Sequence, residues 1–181
     1  MPLMDPRSTD EQKSKKWQET LALVDRITDK LGMPVDRKIK SVVAGLMALG
    51  FKTTSSCQGH LDHGKKYPSV TIELDALPQT WGKGPPPDDI TWREYCQKAL
   101  SHTRPTVKRL FDLIAEFYGD RAVHHDVRIG LRGGLASLSM ENSNAEMTQW
   151  LCDGGQEERL MEYQEEMLAF GEFLRKKFLQ T

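Results

Sequence analysis

The run DVRIGLRGGLASLSM, residues 126–140, decides the fold class. Two stretches of alternating apolar residues flank Gly133-Gly134, a pair able to take the positive φ angles of a two-residue hairpin turn. With those glycines as the turn, Leu131 faces Ala136, Ile129 faces Leu138 and Val127 faces Met140, so the apolar partners fall on one side. The same register sets Arg128 opposite Ser139 and leaves Arg132 and Ser137 on the polar side. A hairpin with one dry face needs another layer to cover it.

Working outward, Val70, Ile72 and Leu74 alternate as a strand, and the threonine-rich residues 51–57 make its partner. Helical spacing covers the rest. Trp17, Leu21, Val24, Ile27 and Leu31 predict a helix over 10–31, stopped by Gly32 and Pro34. Ile39, Val42, Val43, Leu46 and Met47 predict a second, with Gly50 as its left-handed end. Thr91 and Glu94 form a capping box that opens a third helix, which Pro105 kinks or splits before it continues to Gly119. Ser143 and Glu146 suggest another box, leading to a helix interrupted at 153–155 and a long helix over 156–178. The glycine- and proline-rich run 77–89 reads as a connector or movable flap anchored by Trp81.

The order helix, helix, hairpin, helix, hairpin, helix describes an α+β fold: a small antiparallel sheet of two β-hairpins with helices packed on one face. Residues 10–181 make one domain after a disordered lead-in over 1–9. A chain of 181 residues buries enough surface to fold without a metal or disulfide, so any ion serves function or local order. A net charge of −1 gives no overall basic field for nucleic acid or anionic membranes. Three cysteines at wide separation suit a reducing compartment, and we expect a cytoplasmic protein with no membrane span.

One loop departs from this scaffold. GFKTTSSCQGHLDHG, residues 50–64, crowds hydroxyls, a thiol and two imidazoles between glycines. Cys57, His60 and His63 are spaced closely enough to converge on zinc, with His102, His124, His125, Cys96 or Cys152 available to complete the shell. A second reading makes Cys57 a nucleophile activated by His60, with the backbone N–H groups of Gln58 and Gly59 cradling an anion. A third makes the loop a structural turn whose serines and threonines satisfy local backbone groups.

Ser55, Ser56, Cys57 and Gly59 together resemble the Ser-Ser-Cys-Ser-Gly-Arg motif of the tRNA wybutosine-synthesis methyltransferase family. The resemblance spans about six residues; it implies S-adenosylmethionine chemistry on RNA, and Gln58 and His60 depart from it. The loop is also similar to a Ser-Cys-x-Gly-His motif of uncharacterised bacterial and phage proteins.

These readings predict a site centred on Cys57, Gln58, Gly59 and His60, with Ser55 and Ser56 contributing hydroxyls and Glu73 as a base or partner of a histidine. Lys65, Arg128 and Arg132 form its outer wall, suited to a small polar or anionic ligand such as a nucleotide or RNA base. The competing expectation is an interaction protein that dimerises or binds a partner through its last helix, where Phe173 and Leu179 are surplus to the core stripe.

Overall fold

The computed structural model describes residues 6–29, 32–74 and 90–181, with the side chains of 6–9 and 153 outside that description. The expected connector at 77–89, with Trp81, lies outside the described residues. In chain order the elements are α1 (Pro6–Val24), α2 (Lys40–Ala48), β1 (Lys52–Cys57), β2 (Ser69–Glu73), α3 (Trp92–Phe117), β3 (Ile129–Gly133), β4 (Ser137–Asn142) and α4 (Asp153–Gln180). Short 3-10 turns at His125–Val127 and Ala145–Trp150 precede β3 and α4. The architecture is α+β, as the hairpin reading requires.

The two hairpins join into one antiparallel sheet in the order β1-β2-β4-β3, leaving β1 and β3 as edges. Val70 pairs with Met140 and Ile72 with Leu138, which aligns the apolar faces of both hairpins. These residues, with Ile129, meet Val42, Val43, Leu46, Leu110, Ile114, Met167, Phe170 and Leu174 in one core. Removing such chains from water is the main favourable term for the fold.

The second hairpin keeps its faces but changes its register. Leu131 pairs with Met140, Ile129 with Asn142 and Arg132 with Ser139, in place of the expected Leu131–Ala136, Ile129–Leu138 and Arg128–Ser139 pairs. Gly133 opposes Leu138 and the Gly134 N–H bonds to Ser137 O at 3.1 Å, so the turn lies beyond Gly133. A shift by an even number of residues preserves inward and outward sides, which explains why alternation alone did not detect it.

Helix ends also moved where side chains compete with the backbone. α1 ends at Val24, because Asp29 Oδ1 accepts from Met33 N at 2.9 Å and Asp29 N donates to Met33 O at 2.9 Å. An aspartate bonding its own neighbourhood is an alternative to helix, and here Met33, Pro34 and Val35 come to lie beside β1. The Thr91–Glu94 capping box forms as expected, with reciprocal bonds of 3.0 and 3.3 Å, whereas α3 runs unbroken through Pro105. The Ser143–Glu146 box does not form. Glu146 pairs with Arg132, Asn144 takes a left-handed φ of 56°, and α4 begins at Asp153, where an interruption was expected.

α4 lies against α2 and supplies much of the core. Phe173 and Leu179 pack against that core, so the two residues expected to form a dimer seam are used within the chain. Glu166 is 2% exposed and receives Arg121 Nη2 at 2.6 Å and Arg121 Nε at 3.2 Å. A buried carboxylate requires such a partner. Among the described residues no helix is long and apolar enough to cross a membrane.

Candidate functional site

β1 is the edge strand that carries the polar loop. Its inner side pairs with β2 from Lys52↔Glu73 to Cys57↔Ser69, with an irregularity between Thr53 and Ser55. A bulge of this kind re-aims side chains. Thr53, Thr54, Ser55, Ser56 and Cys57 line one side of a cavity of about 560 Å³. Ile27, Met33, Pro34 and Val35, from the segment that Asp29 turns back, and Val43 of α2 form its apolar side.

Cys57 ends the strand and Gly59 reverses the chain. Gly59 has φ +83°, and a Cβ there would lie 2.6 Å from Leu160 Cδ1 and 2.9 Å from the Tyr67 carbonyl carbon. Only glycine fits this left-handed, enclosed position without strain. Gln58 fastens the turn from three sides: its N–H donates to Asp36 Oδ2 at 3.0 Å, its Oε1 accepts from Lys38 N at 3.2 Å and its O accepts from Gln164 Nε2 at 3.0 Å. His60 N then donates to Lys65 O at 2.8 Å, closing the 60–65 turn. The Gly59 N–H points to Cys57 Sγ at 3.4 Å and is therefore turned toward the thiol, not toward a bound anion.

These ties bring together three groups from two segments. Cys57 Sγ, one ring nitrogen of His60 and a carboxylate oxygen of Asp36 lie within 4.8 Å of one another, all half-buried. Asp36 Oδ2 is 3.4 Å from His60 Nε2. That separation equals the edge of a tetrahedron with ligand bonds of ~2.0–2.1 Å, which is about 3.4 Å. One ring nitrogen of His60 therefore lies within 4.8 Å of both the thiol and the carboxylate, an arrangement compatible with three ligands converging on one ion.

His63 does not join this set. Its ring stacks on His60 with centroids 4.2 Å apart, and its Nδ1 lies 2.8 Å from Asp62 Oδ1. His60, Asp62 and His63 make a separate cluster, so the expected Cys57–His60–His63 triad is replaced by two sets that share His60. A hydrogen bond from its own backbone N–H, then one from His63, holds the Asp62 carboxyl below the ordinary carboxylate range. His124 and His125 gather around Asp126 instead and do not complete either set.

The remaining expected residues are dispersed. Glu73 stands four residues along β2 from Ser69, the partner of Cys57, which is about 13 Å at ~3.3 Å per residue. It is exposed and lies at the far end of the strand. Arg132 is on β3, three strand spacings or about 14 Å from β1 at ~4.8 Å each, and is engaged by Glu146 and by Glu141 at 3.9 Å. Arg128 lies over the Tyr118 ring at 4.5 Å, against a different cavity. Lys65 Nζ turns to Ser69 Oγ at 3.2 Å and Glu141 Oε2 at 3.8 Å. Ser55 lines the cavity while its hydroxyl donates to Thr71 Oγ1 at 2.9 Å. Among the described residues, the cavity lining contains Asp29 and Asp36 but no lysine or arginine. Lys65, Arg128 and Arg132, expected as a cationic wall, do not line it.

Asp36 is the residue that sequence reasoning missed. It sits in the connector before α2, and its only sequence signal is a carboxylate following Pro34 where the chain has left a helix. Comparison with protein-family models, with curated proteins and with solved structures gives no match.

Proposed function

We propose that this chain is a metal-binding protein whose resident ion, zinc by ligand preference, is held by Asp36, Cys57 and His60. A thiolate, an imidazole and a carboxylate form a borderline donor set that suits Zn²⁺. Three protein ligands leave one tetrahedral position, and the cavity beside β1 gives that position somewhere to open. The observation that carries this reading is the convergence of Asp36 with Cys57 and His60 across a gap of more than twenty residues.

The cavity's charge supports the same conclusion. Among the described lining residues, two aspartates and no lysine or arginine favour a cation over a free anion. A small polar or anionic ligand is then recruited by the ion itself, which polarises whatever occupies its fourth position. The hydroxyls of Thr54 and Ser56 and the apolar side at Met33, Pro34 and Val35 orient that ligand.

Calorimetric titration of Zn²⁺ into tag-free protein tests the reading. Wild type binds one ion per chain. Asp36→Ala, Cys57→Ala and His60→Ala each weaken binding by about 100-fold or more, at or beyond the upper end of the range for residues that merely support a ligand. Glu73→Ala and Arg132→Ala leave it unchanged. An Asp36→Ala variant that retains wild-type affinity would remove the basis for the site.

A further inference from the structure

This inference rests on the metal reading above and concerns how the ion arrives. His60 belongs to two clusters at once. With Asp36 and Cys57 it forms the half-buried set; with Asp62 and His63 it forms a second set whose ligand atoms also lie within 4.8 Å of one another. The outer set faces solvent, with the His63 and Asp62 side chains 66% and 84% exposed, against 22% for His60 and 29% for Asp36 in the inner one. Both imidazoles line the cavity, so the two sets share one approach.

We infer that Asp62 and His63 form a loading station, which captures a hydrated divalent ion together with His60 and passes it inward to Asp36 and Cys57. Three features make the outer set suited to transient binding. The His60 and His63 planes are only 23° apart with ring centroids 4.2 Å apart, so their in-plane lone pairs lie in separate, nearly parallel planes and do not converge on one ion. An ion held by both rings therefore needs one ring to rotate. The outer donors are hard or borderline, with no thiolate, whereas the inner set adds the softer sulfur that zinc favours. The carboxylate of Asp62 also supplies negative charge on the solvent side, where it raises the local cation concentration.

The transfer is a ligand exchange about His60. Bonds from the ion to Asp62 and His63 break; bonds to an Asp36 oxygen and to Cys57 Sγ form. The thiol proton is released to solvent as the metal–sulfur bond forms, and no electron changes hands. The His60 N to Lys65 O bond holds His60, Asp62 and His63 on one short turn, and the Gln58 N–H to Asp36 bond ties that turn to the inner set, so the step requires side-chain rotation and not loop displacement.

The test is rapid mixing of apo-protein with Zn²⁺ buffered by a chromophoric chelator, alongside equilibrium titration. His63→Ala keeps one ion per chain with affinity within about threefold of wild type, while its loading rate falls by about tenfold or more, within the range by which local charge alters association. Asp62→Asn slows loading in the same sense. An affinity loss in His63→Ala as large as that in Cys57→Ala overturns the inference by making His63 a resident ligand. An unchanged loading rate overturns it too, and so do two ions bound at once by wild type. If wild type takes up no Zn²⁺, the resident site itself fails, which is a separate outcome from wild type loading normally and His63→Ala loading equally fast.

Discussion

Replacing Gly59 by alanine tests whether the turn geometry creates the site. Gly59 has φ +83°, where an L-residue meets its own following carbonyl at a cost of about 1–2 kcal/mol. The added Cβ also comes within 2.6 Å of Leu160 Cδ1 and 2.9 Å of the Tyr67 backbone. Leu160 is buried and the Tyr67 contact is main chain, so neither gives way freely. Overpacking of this kind costs about 1–3 kcal/mol, for a total of roughly 2–5 kcal/mol. With a urea slope of about 2 kcal/mol/M, the unfolding midpoint falls by roughly 1–2.5 M. Gly64→Ala is the matched control: φ is +63°, but nothing lies within 4 Å of its Cβ, so only the conformational cost applies. Urea unfolding followed by circular dichroism measures both. A Gly59→Ala midpoint no lower than that of Gly64→Ala would refute the enclosed-turn reasoning.

Two further outcomes follow from the same structure. Zn²⁺ at one hundred times its dissociation constant adds about 2.7 kcal/mol of stability, which raises the melting temperature by roughly 5–10 °C in a chain of this size; scanning calorimetry of Cys57→Ala shows no such rise. Burial pushes the Tyr118 phenol upward, against a lowering hydrogen bond from the Ile129 N–H, with Glu166 adding to the rise. A folded pKa raised above the unfolded value near ~10 means its contribution is complete below pH ~10 and is lost as pH rises beyond it. Tyr118→Phe therefore flattens the alkaline loss in a pH series of denaturant midpoints. It also costs about 1–3 kcal/mol at neutral pH, because Ile129 N loses the Tyr118 Oη acceptor now at 2.7 Å.

The fold was legible because it rests on local periodicity. Val70, Ile72, Leu138 and Met140 alternate strongly enough to place both hairpins, and helical spacing located the four helices whose stripes meet them. What failed was whatever depended on competition between bonds. The register of the second hairpin depends on which residues beyond Gly133 form the turn, and the end of α1 depends on Asp29 capturing Met33 N. Neither choice leaves a mark in periodicity.

The candidate site was legible by half. Cys57 and His60 were visible because a polar cluster without apolar partners has no packing role to explain it. Asp36 was not visible, since its place beside them is set by the Asp29–Met33 bonds and by the Gln58 N–H. Glu73, Arg128 and Arg132 were drawn in because they share polar strand faces or flanks, but a strand face extends farther than a site. Position along and across the sheet separates them from Cys57.

The most direct test of the resident ion is X-ray absorption at the zinc edge of protein loaded with one equivalent. One sulfur at ~2.3 Å with nitrogen and oxygen neighbours at ~2.0–2.2 Å, the sulfur vanishing in Cys57→Ala and the light-atom shell altered in Asp36→Ala, is the expected result. A spectrum without sulfur, or one unchanged by either substitution, contradicts the account.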